Sequence, residues 1–385
     1  MNGRDYVTDL LPRLVAARVA YRGWRPPPTP ITLTFSVTNR CQSRCLTCKI
    51  WELYRQKPEL RDAELTLDEI ERIFRGLGHI YFFNVSGGEP FLREDLSDIF
   101  RLAIRHLSPR VLHTPTNALL PEHIEGTTAV ILQHMAQIGY DAPFTVKPSL
   151  DGIGARHDEI RGVPGNFTRV LETLERLKRL RQRYPNLHVE VGTVVSRANM
   201  HEIDAIADYV HTLDIESYRN EIAEQRAEFF NRGDPITPSG EEYAALMEVF
   251  ARHIRENIGA KRELAKMTEA LRLVYYEYAA RILKERRQVL PCYAGITNAH
   301  INPYGQVWPC CVLGYDRPLG ELRAADYDFG RVWHSPQAQA VRASIRAGEC
   351  ACPLANQAYS NILCDPVATA KVLANMVAFR LKHSA

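Results

Sequence analysis

An α/β protein is predicted, a partial (β/α)6 TIM-type barrel followed by a smaller C-terminal domain, and three observations predict it. Between Ile31 and about Arg219 short apolar runs alternate with amphipathic helical patterns, the arrangement by which successive βα units build a parallel sheet. There are six such runs, too few for the eight strands of a closed barrel. Beyond them the chain turns charged and helical, and cysteines then return in a cluster that marks a second region. These shifts divide the chain into 1–29, an N-terminal amphipathic helix and Pro-rich lead-in; 30–233, the barrel; 234–290, a helical linker; 291–365, the cysteine-rich domain; and 366–385, a C-terminal helix.

Tyr6, Leu10 and Leu14, with Val7, Leu11 and Val15, recur at helical spacing among Arg4, Arg13, Arg18 and Arg22. Such a helix packs on the barrel or lies on a membrane surface. Trp24 to Pro28 stops it and feeds an extended strand. The strand candidates are Ile31 to Val37, Ile80 to Val85, Val111 to Thr114, Phe144 to Leu150, Val189 to Val195 and Ile215 to Tyr218. Thr66 with Glu69 forms a capping box ahead of Ile70, Ile73, Phe74 and Leu77, and Gly78 closes that helix. Asn199 with Glu202 is expected to open another in the same way. Tyr275, Tyr276 and Tyr278, inside the helical linker, read as core. In the last helix Val372, Met376, Val377 and Phe379 form a face expected to cover the junction between domains.

The 385 residues carry a formal net charge of only +3, so there is no electrostatic footprint for nucleic acid. Nine cysteines without a secretory signal point to a reducing cytoplasm, where thiols bind metal rather than pair. No apolar run approaches the roughly 18 residues of a membrane span.

Directly after the first strand candidate stand Cys41, Cys45 and Cys48, at C-x3-C-x2-C spacing. Three convergent thiolates select zinc, copper(I) or an iron–sulfur cluster. A structural zinc wants a fourth nearby ligand, and His79 is the next candidate in the chain. A [4Fe–4S] cluster with one open iron is therefore the better reading. The triplet resembles the signature of the radical S-adenosylmethionine (radical SAM) enzymes. That resemblance implies S-adenosylmethionine on the open iron, reductive cleavage to a 5′-deoxyadenosyl radical, and removal of a hydrogen atom from substrate. Many members carry an aromatic before the third cysteine; here it is Thr47, which moves adenine stacking elsewhere.

The later motifs fall at the C-terminal ends of the strands, where barrel chemistry belongs. Ser86-Gly87-Gly88-Glu89-Pro90 matches the family's GGE motif, which implies that Glu89 holds the methionyl amino group while Gly87 and Gly88 let the backbone approach. Thr116-Asn117-Ala118 resembles the family's Thr-Asn-Gly, with Ala118 departing from glycine and Asn117 still a donor to cofactor. Ser149 and Asp151, followed by His157 to Gly162 with Arg161, resemble its ribose-side signature.

Cys292, Cys310, Cys311, Cys350, Cys352 and Cys364 make up the second cluster of thiols. Asn302-Pro303-Tyr304-Gly305 has the residues of a type I turn, flanked by His300-Ile301 and Val307-Trp308 as a hairpin. From Cys292 to Cys364 the pattern resembles the SPASM and Twitch auxiliary-cluster domains, which implies a second [4Fe–4S] cluster. The expected ligands are Cys292, Cys310, Cys350 and Cys352, with Cys364 in reserve; a structural zinc is the alternative for the same thiolates. Cys311 is a spare thiol, read either as packing or as a hydrogen-atom donor to a substrate radical.

The reading is thus a radical SAM enzyme. A small molecule such as a sugar or alcohol is the expected substrate, because no separate peptide-recognition domain precedes the barrel. A ribosomal peptide is the alternative, and a lipid a third, resting on the N-terminal helix. A reductase, flavodoxin or ferredoxin is the expected electron donor. An iron–sulfur carrier is the competing class, and the GGE, Asn117 and Ser149 features speak against it, since a carrier needs no cofactor pocket.

Overall fold

The computed structural model describes residues 6–260 and 263–381. Arg4 and Lys382, at the outer ends of the two expected terminal helices, lie outside the described residues. The six strand candidates form β1 (Thr32–Thr38), β2 (Phe82–Gly87), β3 (Val111–Thr116), β4 (Phe144–Pro148), β5 (Leu187–Val195) and β6 (Ser217–Ile222). They pair in parallel in chain order, and the sheet does not close on itself. The sixth strand lies further along than Ile215 to Tyr218. Its second half, Arg219-Asn220-Glu221, is too polar to read as strand, yet these residues belong to a barrel whose bore is polar.

Alternation sets the two faces. Leu33, Phe35, Phe83, Val85, Leu112, Phe144, Val146, Val189 and Val191 point outward and are buried under the helices. Phe35, Phe74, Phe83, Phe100 and Phe144 run edge to face or tilted through this layer, with centroids 5.0–6.1 Å apart. The opposite face carries Thr34, Asn84, His113, Lys147, Arg219 and Glu221, which line a cavity.

The Thr66 capping box is present: Glu69 N donates to Thr66 Oγ1 and Thr66 N to Glu69 Oε2 at 2.8 Å. Asn199 is not a cap. Its side chain accepts from Ser196 N at 2.8 Å and donates to the carbonyls of Asp151 and Val194, each at 2.9 Å, so it ties the ends of two barrel segments together.

The helix Leu11–Tyr21 buries Leu14, Ala17 and Ala20, which join Leu10, Ile31, Tyr81, Tyr293 and Ile296 in a second core, while Leu11 and Val15 are exposed. Helices Gly240–Asn257 and Glu263–Glu285 cover the outer side of β6, where Phe250 contacts Tyr218 and Tyr276, and Arg272 donates to the Tyr218 carbonyl at 2.7 Å. Tyr275, Tyr276 and Tyr278 are core. In the last helix, Pro366–Leu381, Val372 and Phe379 are buried and Val377 is exposed.

The hairpin is β7 (Asn298–Ile301) and β8 (Gln306–Trp308), followed by β9 (Gly320–Glu321). The Asn302 side chain accepts from Tyr304 N and Gln306 N, and Gly305 takes a φ of 90° to close the turn. β7 also pairs in parallel with β1, Thr32 to Asn298 through Phe35 to Ile301. The described residues thus hold one sheet ordered β6-β5-β4-β3-β2-β1-β7-β8-β9. No single helix among them is long and apolar enough to cross a membrane.

Candidate active site

The loop after β1 is anchored at its start by Glu64, which accepts from Thr38 Oγ1 at 2.6 Å, Asn39 N at 3.0 Å and the Tyr54 hydroxyl. Its thiol-bearing part is gripped by backbone: Arg44 N and Leu46 N each donate at 2.9 Å to the carbonyls of Arg161 and Ile160, and Glu89 N donates to the Arg40 carbonyl at 2.7 Å. That approach explains two glycines. A Cβ on Gly88 would stand 2.3 Å from the Arg40 oxygen, and one on Gly162, at φ 67°, 2.4 Å from that of Arg44.

Cys41, Cys45, Cys48, Gly87, Gly88, Glu89, Asn117, Ser149 and Arg161 all line one cavity of about 260 Å³, and Cys310 and Cys311 line it too. Glu89 is buried, accepting from Asn117 N at 2.6 Å, Thr116 Oγ1 at 2.9 Å and Phe91 N at 3.2 Å. Burial nevertheless pushes its carboxyl up to about 7. Asn117 Nδ2 points at the thiol loop, 3.2 Å from Gln42 Oε1 and 3.8 Å from the Cys41 sulfur. Ala118 sits at φ 60°, the left-handed conformation that a glycine there would take without strain.

Asp151 does not line the cavity. Its Oδ1 accepts from Val194 N at 2.8 Å, and its Oδ2 lies 2.9 Å from Arg161 Nε, close but not aligned as a hydrogen bond. Arg161 Nη1 is 3.5 Å from the Cys45 sulfur, and its buried Nη2 has no partner.

Cys292, Cys310, Cys350 and Cys352 lie close enough to act on one another electrostatically. Cys364, the reserve, sits apart in the core with Leu14, Tyr293 and Ile296, and its carbonyl accepts from Arg18 Nε at 2.7 Å. An apolar position at the end of helix Ala355–Cys364 takes it there. Cys311 Sγ is 2.6 Å from Arg226 Nη1, with Glu228 and His300 close by: ligand atoms of Cys311, Glu228 and His300 all fall within 4.8 Å of one another.

The donor sets fit clusters rather than single ions. Burial drives the thiol of Cys41 up to about 12 and that of Cys310 up to about 12, so these sulfurs become thiolates only when a metal displaces the proton. Four sulfurs at about 2.3 Å from one zinc would lie within about 4 Å of each other. Among the described residues no three of these sulfurs come within 4.8 Å of one another, so neither set is gathered as tightly as one zinc needs. The unpartnered Arg161 Nη2 and the remaining acceptor capacity of Glu89 offer a cation and an anion to an amino-acid moiety beside the first set.

Residues 35–210 match the family described as the radical SAM superfamily, and residues 292–353 match SPASM, an iron–sulfur cluster-binding domain. The chain carries a radical SAM domain followed by a SPASM domain. A radical SAM domain implies a [4Fe–4S] cluster and S-adenosylmethionine, and a SPASM domain implies auxiliary iron–sulfur clusters. It is 24% identical to the subtilosin biosynthesis protein AlbA of Bacillus subtilis across 85% of this chain, and it spans 66% of that relative's length, just under two thirds. It is 25% identical to the mycofactocin maturase MftC of Mycolicibacterium smegmatis (84% of this chain, 75% of the relative) and 24% identical to the AdoMet-dependent heme synthase of Methanosarcina barkeri (80% and 83%). Its fold is similar to Streptococcus suis SuiB, with a TM-score of 0.56 and 16% identity over 89% of this chain and 74% of SuiB. It is also similar to anSMEcpe with bound AdoMet, at 0.54 and 14% over 92% and 97%.

The sequence motifs do not announce Arg226, Glu224, Glu228, His300, His113, Lys147 or Arg219, all of which line the cavity. For Lys147 and Arg219 the one signal is alternation, while Glu224, Arg226 and Glu228 lie beyond the last residue of β6, Ile222. A parallel sheet covered by helices should be apolar on both faces, so polar residues at every second position, as in Thr145-Lys147-Ser149 and Ser217-Arg219-Glu221, mark a hydrated bore.

Proposed function

We propose that this radical SAM enzyme removes a hydrogen atom from a peptide held in the barrel mouth. The observation that carries the reading is the convergence of Cys41, Cys45, Cys48 and Glu89 on one cavity that Cys310 and Cys311 also line. When bound, the cluster and S-adenosylmethionine supply a 5′-deoxyadenosyl radical by one-electron reductive cleavage, with the electron from a flavodoxin- or ferredoxin-type donor.

In this reading Cys41, Cys45 and Cys48 hold the iron. Glu89 takes the methionyl ammonium, Arg161 faces its carboxylate, Asn117 braces the thiol loop, and Ser149 meets the ribose side. Gly87 and Gly88 admit the loop backbone. Asp151 acts through Arg161 rather than on cofactor. Cys292, Cys310, Cys350 and Cys352, in the 291–365 region, ligate the auxiliary cluster, and Cys311 faces substrate beside it.

The peptide is favoured over the small molecule because relatives matched over more than four fifths of the chain are a bacteriocin biosynthesis protein and a maturase. A small-molecule substrate is the second reading, favoured by the heme synthase, of which this chain spans 83%. Anaerobic incubation with reductant, S-adenosylmethionine and separated peptide and small-molecule fractions of native cells tests both. Turnover of a peptide fraction supports the first reading, turnover of the other fraction the second, and absence of 5′-deoxyadenosine in every fraction overturns the enzyme reading.

A further inference from the structure

His113 belongs to no motif, yet it occupies the cavity floor. It lies on β3 three residues before Thr116, is 5% exposed and faces the bore. Its Nδ1 is 2.6 Å from Asn84 Oδ1, and the Asn84 amide is oriented by its Nδ2, which donates to Thr34 Oγ1 at 3.4 Å. An amide oxygen only accepts, so Nδ1 carries the imidazole proton and Nε2 presents a bare lone pair. That Nε2 is buried and has no partner. Arg219 lines the same cavity. Its Nη2 is 3.2 Å from Glu190, and its buried Nε, a donor, has no partner. Lys147, the other nearby cation, is 3.2 Å from Glu221.

We infer that His113 and Arg219 form a subsite for a hydroxyl group of the substrate, which donates to His113 Nε2 and accepts from Arg219 Nε. This rests on the reading that the cavity is the substrate site. An ammonium donates but cannot accept, so it would leave the Arg219 Nε donor unmet, and a carboxylate would set its lone pairs against that of Nε2. A hydroxyl donates and accepts through one oxygen, which a peptide or side-chain amide cannot do. Burial and the two neighbouring cations hold the imidazole well below its usual range, so the lone pair persists at neutral pH. The hydroxyl belongs to a free polyol or to a serine- or threonine-like side chain, and the chemistry is shared.

Ligand-observed saturation-transfer NMR and calorimetry on the anaerobically reconstituted enzyme, with S-adenosylmethionine bound, test this. The probes are ribitol, N-acetylthreonine methylamide and butylammonium. One hydroxyl probe should bind saturably, about tenfold more weakly to His113→Phe, and within about threefold of wild type to His113→Gln, whose amide oxygen replaces the acceptor. His113→Met is measured alongside, with the same tenfold loss expected, in case the aromatic variant does not fold. Binding of ribitol only assigns a free polyol; binding of the threonine derivative only assigns a peptide side chain. Failure of both hydroxyl probes, wild-type affinity in the Phe and Met variants, or His113-dependent butylammonium binding would overturn the subsite. Because binding is read without turnover, a loss of radical chemistry registers separately, as missing 5′-deoxyadenosine.

Discussion

Asp151 and Arg161 form a buried ion pair at 2.9 Å, and the guanidinium so held reaches the Cys45 sulfur at 3.5 Å. The carboxylate thereby governs the site without lining it. Asp151→Asn leaves Arg161 buried without its counter-charge, a change that typically costs roughly 3–5 kcal/mol. The expected outcome is a lower denaturant midpoint and S-adenosylmethionine binding weakened by about tenfold or more, measured by equilibrium dialysis. Unaltered affinity in a folded variant would mean that Arg161 does not face the cofactor.

Cys45→Ala should cut the iron of the reconstituted protein from about eight to about four atoms per chain, because two cubane clusters become one. Formation of 5′-deoxyadenosine under reducing conditions should stop. Iron analysis and chromatographic product assay check the two halves independently.

Adjacent thiols separate ligand from neighbour. Cys310→Ala should also lose about four irons, while Cys311→Ser should keep all of about eight. If the serine variant lost iron instead, the ligand set would include Cys311. Circular dichroism accompanies both, since metal binding in this region is folding free energy.

The buried carboxyls set a pH dependence of opposite sign to ordinary acid denaturation. Glu89, Glu224 and Glu228 are each raised by burial to about 7, so their stabilising contribution is complete below the unfolded value and is lost as pH rises through 7. His157 and His300, lowered by burial to about 4 and about 3, act the other way, adding stability as pH rises towards about 6.5. His113 and His188 are lowered too, and the gain from all these imidazoles fades only above about pH 7. From there the glutamates prevail, so the metal-free protein should melt at lower temperature at about pH 8 than at about pH 7, and Glu224→Gln should flatten that slope in a calorimetric scan.

The outward half of the barrel was legible because apolar residues at alternate positions, and the Thr66 capping box, act locally. The inward half was not. Arg219 and Glu221 look like solvent residues until the sheet curls around them, which cut the sixth strand short. Asn199 carries a capping residue's chemistry but spends it on Asp151 and Val194, which are distant or in another element. The thiol motifs were readable as spacing, whereas the separation of Cys364 depends on where helix Ala355–Cys364 docks. The pairing of β7 with β1 left no local trace, since four buried residues look alike at either edge of a sheet.

That pairing gives the molecule a strut. β1 runs into the loop of Cys41, and β7 runs through its hairpin to Cys310, so the two groups of thiols hang from neighbouring rungs of a single hydrogen-bonded ladder, Thr34 beside His300. One continuous ladder therefore frames the cavity from both sides, the first thiol loop at one rung and the hairpin that leads to Cys310 at the next.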